Sequence, residues 1–235
     1  MKVSGSVALV TGANRGIGRQ FARLLLERGA SKVYATARTP ASIDVPGVET
    51  LRLDITDPAS VAAVASAATD VDLLINNAGI TTNTNLVTGD LDKIRLEMET
   101  HFYGTLGMIR AFSPVLAANG GGAIVNVLSA LSWFSFDGAN AYGAAKAAEW
   151  SLTNGVRLEL AEQQTLVTGV HLGAADTDMM ADYEGPKIDP ADVVRATLDA
   201  VEAGKLEVVV DEWSANVKAS LSRDPLEFYG PSLSA

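Results

Sequence analysis

The feature that most constrains this chain is a glycine-spaced turn near its start. It reads Thr11-Gly12-Ala13-Asn14-Arg15-Gly16-Ile17-Gly18 and is followed by a helical pattern that begins Arg19-Gln20-Phe21. A β-branched run, Val7–Thr11, leads into the turn, and a helix, Gly16–Arg28, leads out of it. Strand, tight turn and helix in that order open a βαβ unit. The glycines let backbone approach a pyrophosphate, which then sits on the positive end of the helix. Glycine triplets also serve ordinary turns, but this one has the strand before and the helix after that nucleotide binding requires.

The rest of the chain continues the alternation. Strands are expected at Lys32–Ala37, Glu49–Asp54, Leu73–Asn76, Ala123–Val127, Leu166–His171 and Glu207–Val210. Helical patterns fill Pro58–Ala68, Asp92–Ala118, Ala139–Glu162, Pro190–Ala203 and Ser214–Leu221. Short apolar runs alternating with longer helical stretches predict an α/β fold: a doubly wound, Rossmann-type three-layer sandwich with a mainly parallel seven-stranded sheet. No repeat or linker interrupts the pattern, and Gly120-Gly121-Gly122 reads as a helix stop before a strand. At 235 residues the chain suits one dinucleotide-binding and catalytic domain over residues 1–235. The stretch after Asp224 is expected to be irregular.

Composition removes several function classes. The chain has no cysteine, which excludes disulfides, thiolate metal sites and cysteine nucleophiles, and its two histidines, His101 and His171, are too few for a histidine-rich metal site. No metal is expected. A formal charge of −10 argues against a nucleic-acid partner. No apolar run approaches the ~20 residues needed to span a bilayer, and the N-terminus lacks the form of a signal peptide, so no membrane partner and a cytoplasmic location are expected.

Two further patterns carry chemistry. In NAD binders an acidic residue ~20 positions past the glycines holds the ribose hydroxyls. Here the second strand ends Thr36-Ala37-Arg38, with Arg38 twenty positions beyond Gly18 and no acid at the strand end. Arg38 and Arg15 together suit a 2′-phosphate, which points to NADP(H), although an arginine is more often only a solvated surface group. Tyr142-Gly143-Ala144-Ala145-Lys146 lies in a helical stretch that places Tyr142 and Lys146 one turn apart on one face. An ammonium beside a phenol favours phenolate and lowers a pKa that is ~10 unperturbed, so the tyrosine becomes a proton carrier near neutral pH. Ser129 lies thirteen residues before Tyr142, at the end of the preceding strand, where its hydroxyl is placed to polarise the same substrate oxygen.

On these residues the chain resembles the short-chain dehydrogenase/reductase family, in its single-domain, NADP(H)-preferring branch, over essentially its whole length. The matching positions are Thr11-Gly12-x-x-x-Gly16-Ile17-Gly18, Asp54, Asn76-Asn77-Ala78-Gly79, Ser129 and Tyr142-x-x-x-Lys146. The resemblance implies that Gly12, Asn14, Arg15, Gly16, Ile17 and Gly18 cradle the cofactor and that Asp54 holds its adenine. It implies that Asn77, Ala78 and Gly79 line its groove, that Thr177 contacts it near the carboxamide, and that Lys146 grips the nicotinamide ribose beside Tyr142. Tyr142 is the implied general acid/base and Ser129 its orienting partner.

The chain departs from the family twice. Leu172-Gly173 stands where the family has Pro-Gly, which weakens an expected rigid turn, and His101 stands where the family has the asparagine of its catalytic tetrad. His101 is either a proton relay or a packing residue. In the loop Leu131 to Gly138, Trp133, Phe134 and Phe136 are read as an apolar wall for a hydrophobic ketone or aldehyde, or else as loop packing. The short segment from Asp178 to Asp189 suggests an open pocket. Small residues around Ala144, Ala145, Ala147 and Ala148 suggest a homodimer or homotetramer. The expected function is reduction of a small-molecule carbonyl substrate. The alternatives are an alcohol or steroid-like dehydrogenase running the other way, or a weakened NADP(H)-binding regulator. A sugar-nucleotide epimerase fails on length, because little chain remains after Val210.

Overall fold

The computed structural model describes residues 1–233, with the side chains of 231–233 excepted. Seven strands form: β1 (Val7–Val10), β2 (Lys32–Ala37), β3 (Glu49–Arg52), β4 (Leu73–Asn76), β5 (Gly122–Val127), β6 (Thr165–His171) and β7 (Glu207–Val209). They pair in parallel in the order β3-β2-β1-β4-β5-β6-β7. The order reverses between β1 and β4, which opens a crevice at their carboxyl ends. β1 and β4 are almost wholly buried, as strands covered by helices on both faces must be.

The helices are α1 (Gly16–Glu27), α2 (Pro58–Ala67), α3 (Leu91–Met98), α4 (Thr105–Ala118), α5 (Asn140–Glu159), α6 (Pro190–Glu202), α7 (Glu212–Ser220) and α8 (Pro225–Leu233). On one sheet face α1 and α6 pack Phe21, Leu25, Val194 and Leu198 onto Val10, Ile75, Val125 and Val170. On the other, α2, α4 and α5 pack Val64, Met108, Phe112, Leu116 and Val156 onto Leu9, Leu74, Ile124 and Val167. Aspartates start several helices: Asp57, Asp90, Asp189 and Asp211 each accept a backbone N–H from the first turn of α2, α3, α6 and α7. Each cap contributes about 1 kcal/mol. Among the described residues no helix is long and apolar enough to cross a membrane.

Two expectations are corrected. The single helix expected over Asp92–Ala118 is instead α3 and α4 joined by a π-helical turn, Glu99–Gly104, which carries His101. Periodicity cannot reveal such a turn, because one inserted residue leaves the surrounding helical pattern intact. The stretch after Asp224 is helical, not irregular. Asp224 caps it through the Leu226 amide, at 2.8 Å, and Pro225 takes the first-turn position where a missing N–H costs nothing. Aromatic packing holds it down: Phe228 and Tyr229 both contact Phe134.

A buried polar ladder fixes the register of α5 against the sheet. The Asn76 side-chain amide donates to Asn126 Oδ1 at 2.9 Å, and the Asn126 amide donates to the Thr153 hydroxyl at 2.9 Å. The Thr153 hydroxyl in turn donates to the Glu149 carbonyl at 2.8 Å. Asn126 and Thr153 are completely buried. Replacing Asn126 with alanine strands the amide of Asn76 and leaves the Thr153 hydroxyl only its bond to the Glu149 carbonyl, and should cost about 2–3 kcal/mol in a urea unfolding experiment. A loss below about 1 kcal/mol would mean that water or relaxation re-satisfies the ladder.

Candidate active site

The glycine turn is hooked to the end of β4. The Thr11 hydroxyl accepts the backbone N–H groups of Asn77 (2.9 Å) and Ala78 (3.0 Å). The Asn77 side-chain amide donates back to the carbonyls of Thr11 (3.0 Å) and Gly12 (3.3 Å). Asn77 and Ala78 therefore shape the crevice by holding its floor. No side chain fits at this junction. Gly12 has φ +66°, and a Cβ on it would lie 2.9 Å from Ala78 Cα; a Cβ on Gly18 would lie 2.1 Å from the Gly12 carbonyl oxygen. This close cradle stands at the N-terminus of α1, and Ile17 packs on the core to hold the first turn in place.

The other residues expected to bind a cofactor lie around this cradle. Asn14 is half-buried in the loop, and Arg15 is exposed with a loose 3.6 Å ion pair to Asp178. Arg38 is exposed just past β2 and forms no ion pair among the described residues. Its field reaches Asp54: the Thr56 hydroxyl and amide, then Arg38 and Arg52, hold that carboxyl below its ordinary range against the push of burial. Thr177 lies over Gly16, within van der Waals contact of the position a Cβ would take. The turn after β6 is held without proline, because the Gly173 N–H donates to Asp211 Oδ2 at 2.8 Å.

Ser129, Tyr142, Lys146 and His101 converge. Ser129 follows β5, and its hydroxyl caps a 3-10 turn through the Leu131 amide (3.1 Å) while lying close enough to Tyr142 to favour phenolate. Lys146 Nζ is 5.8 Å from the centre of the Tyr142 ring, and the His101 ring meets Tyr142 edge-on at 5.2 Å. The protonation balance differs from the expectation. Burial pushes the Tyr142 phenol above its usual value, and the opposing pull of Lys146 does not overcome it. Glu149, one turn further along α5, adds to the push of burial. Its Oε2 accepts from Lys146 Nζ at 2.7 Å, and Lys146 also donates to the Val127 carbonyl at 2.8 Å. Burial works to lower Lys146, but the Glu149 carboxylate, with Tyr142 and Glu97, outweighs it and the ammonium is held above its usual range. The pair cancels much of the positive field that would ionise Tyr142.

His101 is fully enclosed. Its Nε2 lies 2.9 Å from the Ile80 carbonyl oxygen and 3.3 Å from Glu97 Oε2, while Nδ1 lies 3.8 Å from Glu149 Oε2. Gly79 makes room for the ring, since a Cβ there would sit 2.7 Å from His101 Cε1. Glu97 and Glu149 are absent from the sequence reading. The signal was present: the buried stripe of α5 runs Ala145, Lys146, Glu149, Leu152, Thr153, Val156, and charges on an otherwise apolar stripe call for partners. Glu97 offers a weaker signal, because the π-helical turn that brings it inward is invisible in the sequence.

Three loops at the carboxyl ends of the strands surround the cluster. The loop after β4 is tied to the loop after β5 by Asn85, which donates to Asp137 (2.9 Å) and accepts from Gly138 (2.7 Å) and Asn140 (3.0 Å). The aromatic wall is largely replaced by packing. Trp133 is buried and stacks on His171 at 3.7 Å, and Phe134 joins Trp213, Phe228 and Tyr229. The exposed apolar side chains are instead Leu86, Val87, Phe136, Met179 and Tyr183.

Comparison with known proteins agrees with this arrangement. Residues 6–187 match the family model for short chain dehydrogenase. The chain is 35% identical over 216 residues to a 3-oxoacyl-[acyl-carrier-protein] reductase of Vibrio cholerae, covering 88% of this chain and 86% of that one. A crystal structure of a short-chain dehydrogenase from Burkholderia cenocepacia in complex with NADP superposes with a TM-score of 0.94 at 40% identity, over 98% of both chains. A 3-ketoacyl-(acyl-carrier-protein) reductase from Brucella melitensis complexed with NADH gives 0.83 at 25% identity, over 89% of this chain and 98% of that one.

His171 supports Ser129 from below, with Nδ1 donating to the Ser129 carbonyl at 3.0 Å. Burial pushes its pKa down to about 4, against the pull of that carbonyl. The unfolded chain, with an ordinary imidazole near ~6.5, takes up a proton that the folded chain refuses between those values. Stability should therefore fall as pH drops from about 6.5 towards about 4, by up to about 3 kcal/mol from this residue. Urea unfolding across that range should show a steeper acid loss in the parent protein than in a His171→Phe variant. Parallel curves would mean that His171 takes no part.

Proposed function

The chain belongs to the short-chain dehydrogenase family, and on that premise we propose that it is an NADP(H)-dependent carbonyl reductase acting on apolar ketones or aldehydes. The observation that carries this reading is the convergence of Ser129, Tyr142 and Lys146 beside a glycine cradle flanked by Arg15 and Arg38. We read residues 1–235 as one cofactor-binding and catalytic unit, self-associating as a homodimer or homotetramer through the small-residue face of α5.

The residues fit the cofactor. The cradle at Gly12 and Gly18, which a Cβ would fill, leaves backbone free to approach a pyrophosphate at the α1 N-terminus. Gly12, Asn14, Gly16, Ile17 and Gly18 hold the phosphates, Arg15 and Arg38 take a 2′-phosphate, and Asp54 takes the adenine. Asn77, Ala78, Gly79 and Thr177 line the nicotinamide side, and Lys146 grips the ribose. NADP(H), when bound, supplies the hydride.

Every other step belongs to the chain. Tyr142 gives its proton to the substrate oxygen as negative charge develops there. Ser129 donates a hydrogen bond to the same oxygen, and His171 and the 3-10 turn hold that serine still. Because burial, aided by Glu149, holds the Tyr142 phenol above its ordinary range, the resting site is an acid, which favours reduction over alcohol oxidation near neutral pH. His101, in the place of the family's asparagine, passes protons towards Lys146. Exposed Leu86, Val87, Phe136, Met179 and Tyr183, on the three loops around the site, support an apolar substrate.

Two measurements test this reading. Tyr142→Phe should lower kcat for NADPH-dependent reduction of aryl ketones by about 10²–10⁴-fold, while NADPH binding followed by fluorescence stays within about threefold. Near-normal turnover in that variant would place the acid elsewhere. The unmodified protein should prefer NADPH to NADH in kcat/KM, and Arg38→Asp should erode that preference by about tenfold or more, because it swaps an attraction for a repulsion. Equal efficiency with both cofactors before any substitution would overturn the assignment of Arg38.

A further inference from the structure

The site holds more buried charge than the triad needs. Glu97 and Glu149 are both enclosed, on α3 and α5, with Lys146 and His101 between and beside them. Every group that faces this cluster can be named. From α5 come Tyr142, Lys146 and Glu149; from α3, Glu97; from the π-helical turn, His101; and from the start of α4, the Thr105 hydroxyl, which donates to Glu149 Oε1 at 3.0 Å. From β5 comes the Val127 carbonyl and from just past it the Ser129 hydroxyl beside Tyr142; from the segment after β4 come the Ile80 carbonyl, the Ile80 N–H, which points at His101 Nε2 from 3.4 Å, and the Thr82 N–H, which donates to Glu97 Oε1 at 2.6 Å.

The hydrogen bonds within this set do not close. His101 Nδ1 and Glu97 Oε2 are buried without a hydrogen-bond partner, Nδ1 lying 3.8 Å from Glu149 and Glu97 Oε2 lying 3.3 Å from His101 Nε2 in poor alignment. A proton on Nδ1 faces Glu149, a proton on Nε2 faces the Ile80 carbonyl and Glu97, and a bare Nε2 meets the Ile80 N–H at 3.4 Å, so the ring has a partner in either tautomer. The gap from Nδ1 to Glu149 is 3.8 Å, just beyond hydrogen-bond length.

We propose that Glu149 is a positioning residue for the reaction, fixing Lys146 and, with His101 and Glu97 behind it, feeding Lys146 the protons that Tyr142 hands to substrate. The inference rests on the roles of Tyr142 and Lys146 given above. In each turnover the Tyr142 O–H breaks and a proton joins the substrate oxygen. An N–H of Lys146 then breaks to restore the phenol. The Nδ1 proton of His101 moves to Glu149 Oε2 and on to the Lys146 amine, forming the N–H that was lost. As that proton leaves, Nε2 takes one from Glu97 Oε2, a half-turn of the ring about Cβ–Cγ brings the new N–H round to face Glu149, and Glu97 regains its proton from solvent on the side of the half-exposed Thr82. One proton crosses each link, and the cluster ends with the charge it began with.

Glu149→Gln keeps the size and hydrogen bonding of the side chain but removes its charge and its ability to pass a proton. In the full-length protein kcat should fall about tenfold or more, with KM for NADPH within about threefold. Both influences of Glu149, on Tyr142 and on Lys146, favour the protonated form. The basic limb of the kcat–pH profile should therefore move to lower pH by about one unit, and the solvent deuterium isotope effect should grow. A measurement without turnover runs beside these: NMR titration of Lys146 in 13C-lysine protein, assigned through Lys146→Arg, should give a lower midpoint in Glu149→Gln. That titration decides the role of Glu149 even if no ketone is reduced, a result that would instead sink the proposed function. An unchanged midpoint, or a kcat loss that is flat with pH and matched by lost folded protein, overturns the inference. Should Glu149→Gln not fold, His101→Phe tests the path behind it. Lys146 should then titrate as in the parent while kcat falls and the isotope effect rises, and parent-like kcat overturns the path.

Discussion

The site depends first on the hook between the glycine turn and the end of β4. Thr11 accepts two backbone N–H groups, and the Asn77 amide returns two bonds to the turn, at the point where the strand order reverses. Bonds of this kind contribute about 1 kcal/mol each, so their energy is modest. Their geometric effect is larger, because they leave the crevice floor no freedom to sag. α1 can then present its N-terminus to the crevice only because Gly12 and Gly18 allow two backbones to meet without side chains between them.

The second constraint acts on the opposite wall. α5 carries Tyr142, Lys146 and Glu149, and its register is set by the ladder of Asn76, Asn126 and Thr153. The ladder ends on the carbonyl of Glu149 itself, so the residue paired with Lys146 is tied through its backbone to the centre of the sheet. A buried ion pair is weak evidence for stability, since desolvation offsets most of its attraction. Its consequence here is chemical: the carboxylate offsets part of the pull of Lys146 on the proton of a tyrosine that burial already keeps protonated.

The fold was legible because its signals are local and repeated. Each strand is a short apolar run and each major helix follows a glycine, an aspartate cap or a proline, so the seven strands fall within two residues of their expected ends. Ser129, Tyr142, Lys146 and His101 were legible as positions, and the structure brings them together. Their electrostatics were not. The reading paired Tyr142 with Lys146 alone, because the effect of Glu149 depends on its burial, which helical spacing hints at and composition does not. Trp133 shows the same limit in reverse. An aromatic in a loop beside the site looked available to substrate, yet it is spent on His171, a contact between residues 38 positions apart in the chain. The π-helical turn and α8 were missed for different reasons, the one because an inserted residue leaves no compositional mark, the other because aromatic docking outweighs a proline- and serine-containing sequence.

The π-helical turn has a consequence for how this architecture can be inherited. A helix advances about 100° per residue, so a chain one residue shorter between Met98 and Thr105 would rotate Glu97 off the side on which it meets His101. Such a deletion would touch none of the motif residues, and alignment by motif would score the shortened chain as intact. In this branch of the fold the presence of the acidic partner is thus written in a length, not in a residue. Insertions and deletions in this short span, which ordinary comparison treats as gaps to be closed, separate chains in which an imidazole and a second carboxylate stand behind the Lys146–Glu149 pair from chains that keep the pair alone.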